Sequence, residues 1–217
     1  MVNIKYRNYM KESSSAEHRE QKEYFSGPYA LVIIPDTATV ERVRSLARQF
    51  APNAEFQTEI PHVTLFQAQV TDLPAEEVKK LLKELENLRG KQFDLDKLEI
   101  FAGQYIFWNL KNTPELQKAH EATLRLVKYV DPEKLKFAPH ASLSLTEKQM
   151  ESVKKYGHPL SGDAYLPHIT LAADSRGISL PDGITELPHQ LTVESSRFSE
   201  MGKHGRVEKL IEIPNEI

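Results

Sequence analysis

Pro61-His62-Val63-Thr64-Leu65 and Pro167-His168-Ile169-Thr170-Leu171 are one five-residue word, Pro-His-(Val/Ile)-Thr-Leu, written twice with 106 residues between the histidines (168 − 62). From average amino-acid usage, one such word arises by chance on the order of once in a hundred thousand positions, so a pair in one chain is a strong signal. Each word sits in a predicted strand, Glu59 to Val70 and Tyr165 to Ala172. Side chains alternate across a strand, so His62 and Thr64 share one face while Val63 and Leu65 take the apolar one. His168, Thr170, Ile169 and Leu171 divide in the same way. Each strand thus offers an imidazole and a hydroxyl, roughly 7 Å apart, to a shared surface.

The elements around the two words repeat as well. Tyr29 to Ile34 is a continuous apolar run ending at Pro35, the pattern of a buried strand. Asp36 or Thr37 caps a helix with Val40, Val43, Leu46, Ala47 and Phe50 at helical spacing. After the first word, Pro74 opens a helix carrying Val78, Leu81, Leu82, Leu85 and Leu88, stopped by Gly90. Phe93–Ile100 and Tyr105–Leu110 form a predicted hairpin around Ala102-Gly103-Gln104. Thr113-Pro114 starts a further helix, and Thr146 with Gln149 makes a capping box for a short one ending at Gly157. Gln190–Phe198 and Arg206–Ile213 are predicted strands joined by a turn at Gly202 to Gly205. Antiparallel hairpins mixed with helices define an α+β fold, and the repeated order suggests two pseudo-symmetric antiparallel-sheet lobes with outer helices, facing each other across a central cleft. Residues 1–26 are polar, with a short helix over Ala16–Phe25 introduced by Ser14 and Glu17, and are expected to be an extension to a domain spanning 27–217.

Composition narrows the function. The chain has 217 residues, 40% hydrophobic and 27% charged, enough for one domain with a proper core. It has no cysteine, which excludes disulfide scaffolds, iron–sulfur sites and a thiol nucleophile. The longest apolar run, Ala30–Ile34, is too short to span a bilayer, and the first residues lack the apolar stretch of a signal peptide, so a cytoplasmic protein without a membrane partner is expected. A net charge of −3 argues against coating nucleic acid, but not against a phosphorylated ligand in a local pocket.

Two imidazoles and two hydroxyls in a symmetric array suit displacement at phosphorus. One histidine removes a proton while the other donates one, and hydroxyls bind phosphate oxygens. The duplicated word, together with Phe107-Trp108-Asn109-Leu110, the helix containing His120, and Tyr156-Gly157-His158-Pro159 ahead of the second word, resembles the two-histidine phosphoesterase superfamily, which includes the 2′,5′-RNA ligases and RNA 2′,3′-cyclic phosphodiesterases. The resemblance covers residues 28 to about 213. It implies a bilobal fold, no metal or other cofactor, and His62, Thr64, His168 and Thr170 as the catalytic set. It also implies opening of a 2′,3′-cyclic phosphate to a 2′-phosphate on RNA ends or small nucleotides; a monomer is expected. The alternatives are cleavage of 2′,5′-linked or cyclic dinucleotides, and a module that holds a nucleotide without turning it over.

Other residues are weighed against plainer roles. Pro139-His140-Ala141-Ser142-Leu143 is a third word of the same shape, which makes His140 the alternative second histidine or a histidine flanking the cleft. Phe66, on the face of His62 if the strand is regular, and Tyr105 and Phe107, which share a face opposite Trp108, are candidate substrate-binding residues; core packing is the alternative for these aromatics. His120 lies on the apolar face of its helix and is expected to be a hydrogen-bonded core residue, whereas His18, His158, His189 and His204 are expected at the surface. A zinc site lacks any His-x-x-x-His spacing, a serine hydrolase lacks its Gly-x-Ser-x-Gly turn, and Gly202-Lys203-His204-Gly205 lacks the P-loop pattern.

Overall fold

A computed structural model describes residues 24–131, 144–181 and 186–213. Its order is β1 (Tyr24–Pro35), α1 (Thr37–Phe50), β2 (Phe56–Gln57), β3 (Val63–Pro74), α2 (Ala75–Leu85), β4 (Gln92–Phe101), β5 (Tyr105–Leu110), α3 (Pro114–Thr123), α4 (Glu147–Tyr156), β6 (His168–Ala173), β7 (Glu186–Met201) and β8 (Val207–Ile211). The α+β class is as the sequence predicts. The strand β1 begins at Tyr24, so the helix expected over Ala16–Phe25 does not extend to Tyr24 and Phe25; residues 1–23 lie outside the described residues, as does His140.

The caps form where the sequence places them. Asp36 accepts the Thr39 amide at 2.9 Å, and it also accepts the Thr192 amide at 2.7 Å, which ties the start of α1 to β7. Thr146 and Gln149 close the capping box of α4, and Gly157 ends that helix in the left-handed region at φ 82°. Ala102 and Gly103 take φ 50° and 71° in the β4–β5 turn.

All strand pairings among the described residues are antiparallel, in the order β1-β3-β6-β5-β4-β7-β8. Because β7 also pairs with β1, six strands form a closed circuit. The two sheets expected as lobes are therefore one hydrogen-bonded system. The reason is the length of β7: its first half pairs with β4 and its second with β1. The sequence reading began this strand at Gln190, beyond Pro188. The ladder tolerates that proline because β7 has an extra residue there, Leu95 and Lys97 facing His189 and Glu186, so its missing N–H falls at a bulge.

The unbroken apolar run of β1 follows from its place in the circuit. Leu31 packs into a core with Phe66 and Phe198, Ile33 into one with Val63 and Trp108, and Ala30 and Val32 into a third on the other face. With both faces covered, no polar alternation is required. Trp108 is fully buried and donates its indole N–H to the Leu187 carbonyl at 2.9 Å.

Candidate active site

The two motif strands meet at their middle residues. Val63 pairs antiparallel with Ile169, and both are fully buried. This register puts His62 across from Thr170 and His168 across from Thr64, cross-strand neighbours about 5 Å apart. All four side chains line one pocket. Neither histidine sits in mid-strand: His62 precedes β3 and His168 is the first residue of β6. His62 lies outside the ladder while His168 still pairs with Asn109 of β5, and each ring turns back on the chain. His62 Nδ1 donates to the Ile60 carbonyl and His168 Nδ1 to the Leu166 carbonyl, both at 2.8 Å. A carbonyl only accepts, so each neutral ring keeps its proton on Nδ1 and leaves Nε2 as the basic atom.

Burial lowers the pKa of His62, against a smaller opposite effect from its bond to Ile60. His168 is lowered to about 4, first by burial, with its bond to Leu166 opposing and the nearby His62 adding to the shift. Phe107 covers the His168 ring, their centroids 3.7 Å apart and planes 22° apart.

Just beyond the threonines both strands bulge at the same letter of the word. Leu31 and Val32 of β1 face Phe66 and Thr64, leaving Leu65 without a partner; Ile106 and Phe107 of β5 face Ala172 and Thr170, leaving Leu171 without one. The carbonyls of these residues are used elsewhere. Leu65 accepts from His120 Nδ1 at 2.6 Å and Thr123 Oγ1 at 3.0 Å, and Leu171 from the Thr58 amide at 3.1 Å.

The first bulge overturns one expectation. It shifts the alternation by one residue, so Phe66 is buried in the core and Gln67 takes the place expected for it in the pocket wall. Tyr105 and Phe107 do line the pocket, joined by Phe101. His120 is the core residue expected. Its Nε2 accepts the Gly162 amide at 2.7 Å, and its ring stacks on Tyr165, centroids 3.9 Å apart, whose hydroxyl donates to the Thr64 carbonyl at 3.3 Å. His120 thereby ties the first motif to the segment that carries His158, Pro159 and Leu160 into the pocket wall.

Two histidines expected at the surface are not free-standing there. His158 lines the pocket, and so does His204, whose side chain is only 11% exposed. The β7–β8 turn is folded back over the cleft, which the sequence, seeing only a glycine-flanked turn, did not disclose. Glu55, ahead of β2, holds that turn: it pairs with Lys203, accepts Ser175 Oγ at 2.7 Å, and lies 3.3 Å from His204 Nε2. These donors, Lys203 foremost, lower the Glu55 carboxyl to about 2. His189 stacks against Trp108, away from the pocket. Among the described residues, no helix is long and apolar enough to cross a membrane.

This arrangement, paired His–Thr strands in an antiparallel α+β frame, defines a class. The profile of the 2′-5′ RNA ligase superfamily matches residues 35–156, more than half of the chain and including the first motif. The chain belongs to that superfamily, the two-histidine phosphoesterases. One solved structure agrees on the fold: E. coli LigT in its apo form is 17% identical, with a TM-score of 0.50 over 86% of this chain and 95% of that one. E. coli LigT complexed with NADP+ gives 15% and 0.49 over 86% and 95%, and a protein described as a phosphoesterase gives 15% and 0.49 over 87% and 97%. Among curated proteins, none matches significantly.

Proposed function

We propose that this protein is a metal-independent phosphodiesterase that opens the 2′,3′-cyclic phosphate of an RNA end or small nucleotide to a 2′-phosphate. The observation that carries the reading is the register of the two motifs, which sets each histidine across from the other motif's threonine in one pocket. Thr64 and Thr170 donate to the non-bridging phosphate oxygens. One of the two histidines, neutral and with its proton on Nδ1, takes a proton from water on Nε2 as the water oxygen bonds to phosphorus. The other, protonated on Nε2 beside the phosphate anion, gives its proton to the departing 3′ oxygen, and its Nδ1–H bond to a backbone carbonyl persists in both charge states. The P–O3′ bond breaks, leaving a 2′-phosphomonoester and a free 3′ hydroxyl, with a proton exchanged between the rings. Attack and departure on opposite sides of phosphorus match catalytic groups drawn from two strands.

The test is turnover of adenosine 2′,3′-cyclic phosphate and of a short RNA bearing that end, in EDTA. The expected product is the 2′-phosphate, and His62→Ala and His168→Ala each lower the rate by roughly 10²–10⁴-fold. Formation of the 3′-phosphate, or full activity in either variant, overturns the assignment. Tight nucleotide binding without product from any substrate favours the non-catalytic module instead.

A further inference from the structure

We propose that His204 and Gln67 form a nucleobase-reading end of this same pocket, making the β7–β8 turn a specificity element; the inference rests on the phosphodiesterase reading above. The two residues reach the pocket from different strands. Gln67 is brought in by the bulge at Leu65, and His204 by the fold-back of the turn. The turn comes close to Gln67: a Cβ on Gly205, next to His204, would lie 3.7 Å from Gln67 Oε1.

His204 is held in place at a conformational cost. It occupies the left-handed region at φ 60°, ψ 21°, uncommon for a residue with a Cβ. Asparagine or glycine would satisfy the turn as well, so backbone geometry does not call for an imidazole. The ring is fixed by its neighbours. It lies parallel to Phe56 with centroids 6.3 Å apart, meets the edge of Tyr105 at 6.1 Å, and stands beside the Glu55 carboxylate. Its Nε2 is buried against the Glu55 carboxylate, 3.3 Å away.

The chemistry of the occupant follows from the path between this end and the motif histidines. His168 stacks on Phe107, Phe107 on Phe101 at 4.9 Å, and Tyr105 leads from Phe107 to His204. A planar aromatic group attached to the phosphate through a sugar can lie along those rings, and its edge then meets His204 and Gln67. Base edges present both donors and acceptors, and a carboxamide beside an imidazole offers both in return. A second phosphate is disfavoured there, because the Glu55 carboxylate stands behind His204.

The test compares adenosine 2′,3′-cyclic phosphate with ribose 2′,3′-cyclic phosphate, which lacks a base, in wild type, His204→Asn and Gln67→Ala. Asparagine keeps the left-handed turn, so loss of fold does not confuse the result. The wild-type preference in kcat/KM for the nucleoside compound is expected to fall at least tenfold in His204→Asn, mainly through KM, and to fall in Gln67→Ala. A preference unchanged in His204→Asn overturns the inference while leaving the phosphodiesterase reading intact. If wild type turns over neither compound, nor a short RNA bearing the same cyclic end, the phosphodiesterase reading fails. Calorimetric binding of 3′-AMP against ribose 3-phosphate then decides the base site: an unchanged ratio in His204→Asn overturns it, and a ratio reduced tenfold supports it.

Discussion

His62 and His168 are each fixed by a carbonyl two residues upstream, a device that sets tautomer and direction without a carboxylate partner. An acidic partner would raise the imidazole pKa, whereas a buried carbonyl bond leaves burial in control and the ring neutral. The consequence is measurable as stability. The pKa of His168 falls from its ordinary 6.5 to about 4 on folding, so between these values the unfolded chain binds a proton that the folded one refuses. Its contribution is fully present above pH 6.5 and is lost as pH falls toward 4. The buried His62 and His120 act in the same direction. Denaturant unfolding followed from pH 7.5 to 4 is expected to show falling stability, with a shallower fall in His168→Ala; equal slopes in the two proteins would contradict the shift.

The bulges decide what each motif strand presents. Without the extra residue at Leu65, Phe66 would face the cleft and Gln67 the core. The bulge needs a taker for its carbonyl, and the buried His120 on α3 supplies it while its other nitrogen holds Gly162. His120→Ala leaves that carbonyl with Thr123 alone, strips the Gly162 amide of its partner and opens a cavity, so a loss of roughly 2–5 kcal/mol is expected by denaturant titration. Gly162→Ala attacks the same joint from the other side, since φ is +59° and the new Cβ would fall 2.3 Å from the Tyr156 ring. It is expected to lower Tm and, by displacing the wall at His158 to Leu160, to raise KM.

At the scale of the molecule, closure of the strand circuit places the site. The bridge between β3 and β6 is a single residue pair, Val63 with Ile169, while the rest of the circuit holds the two motif strands on either side of it. The strand β1, paired with both β3 and β7, is central to that circuit and begins at Tyr24. Removing residues 1–23 leaves β1 whole and serves as the reference truncation. Removing residues 1–27 also takes Tyr24 and Phe25 from their pairing with Pro74 and Leu73, and Phe25 from its core against Phe198, at a cost of about 2 kcal/mol or more. Equal melting of the two truncations would mean that β1 contributes nothing before Pro28.

Local chemistry made much of this legible from residues alone. Caps at Asp36, Thr113 and Thr146, the turn at Ala102-Gly103 and the helical spacing of α1 and α2 act over a few residues, so the sequence determined them. It also determined the candidate set His62, Thr64, His168 and Thr170, because a repeated word with period-two alternation needs no knowledge of the rest of the chain. Only the tertiary structure decided that Phe66 turns inward, that β7 runs through Pro188 to join both halves, and that His204 and Glu55 close over the pocket. Each of these depends on pairing register or on contacts between residues more than a hundred positions apart, where a single inserted residue reverses every side chain after it and local pattern carries no trace of the choice.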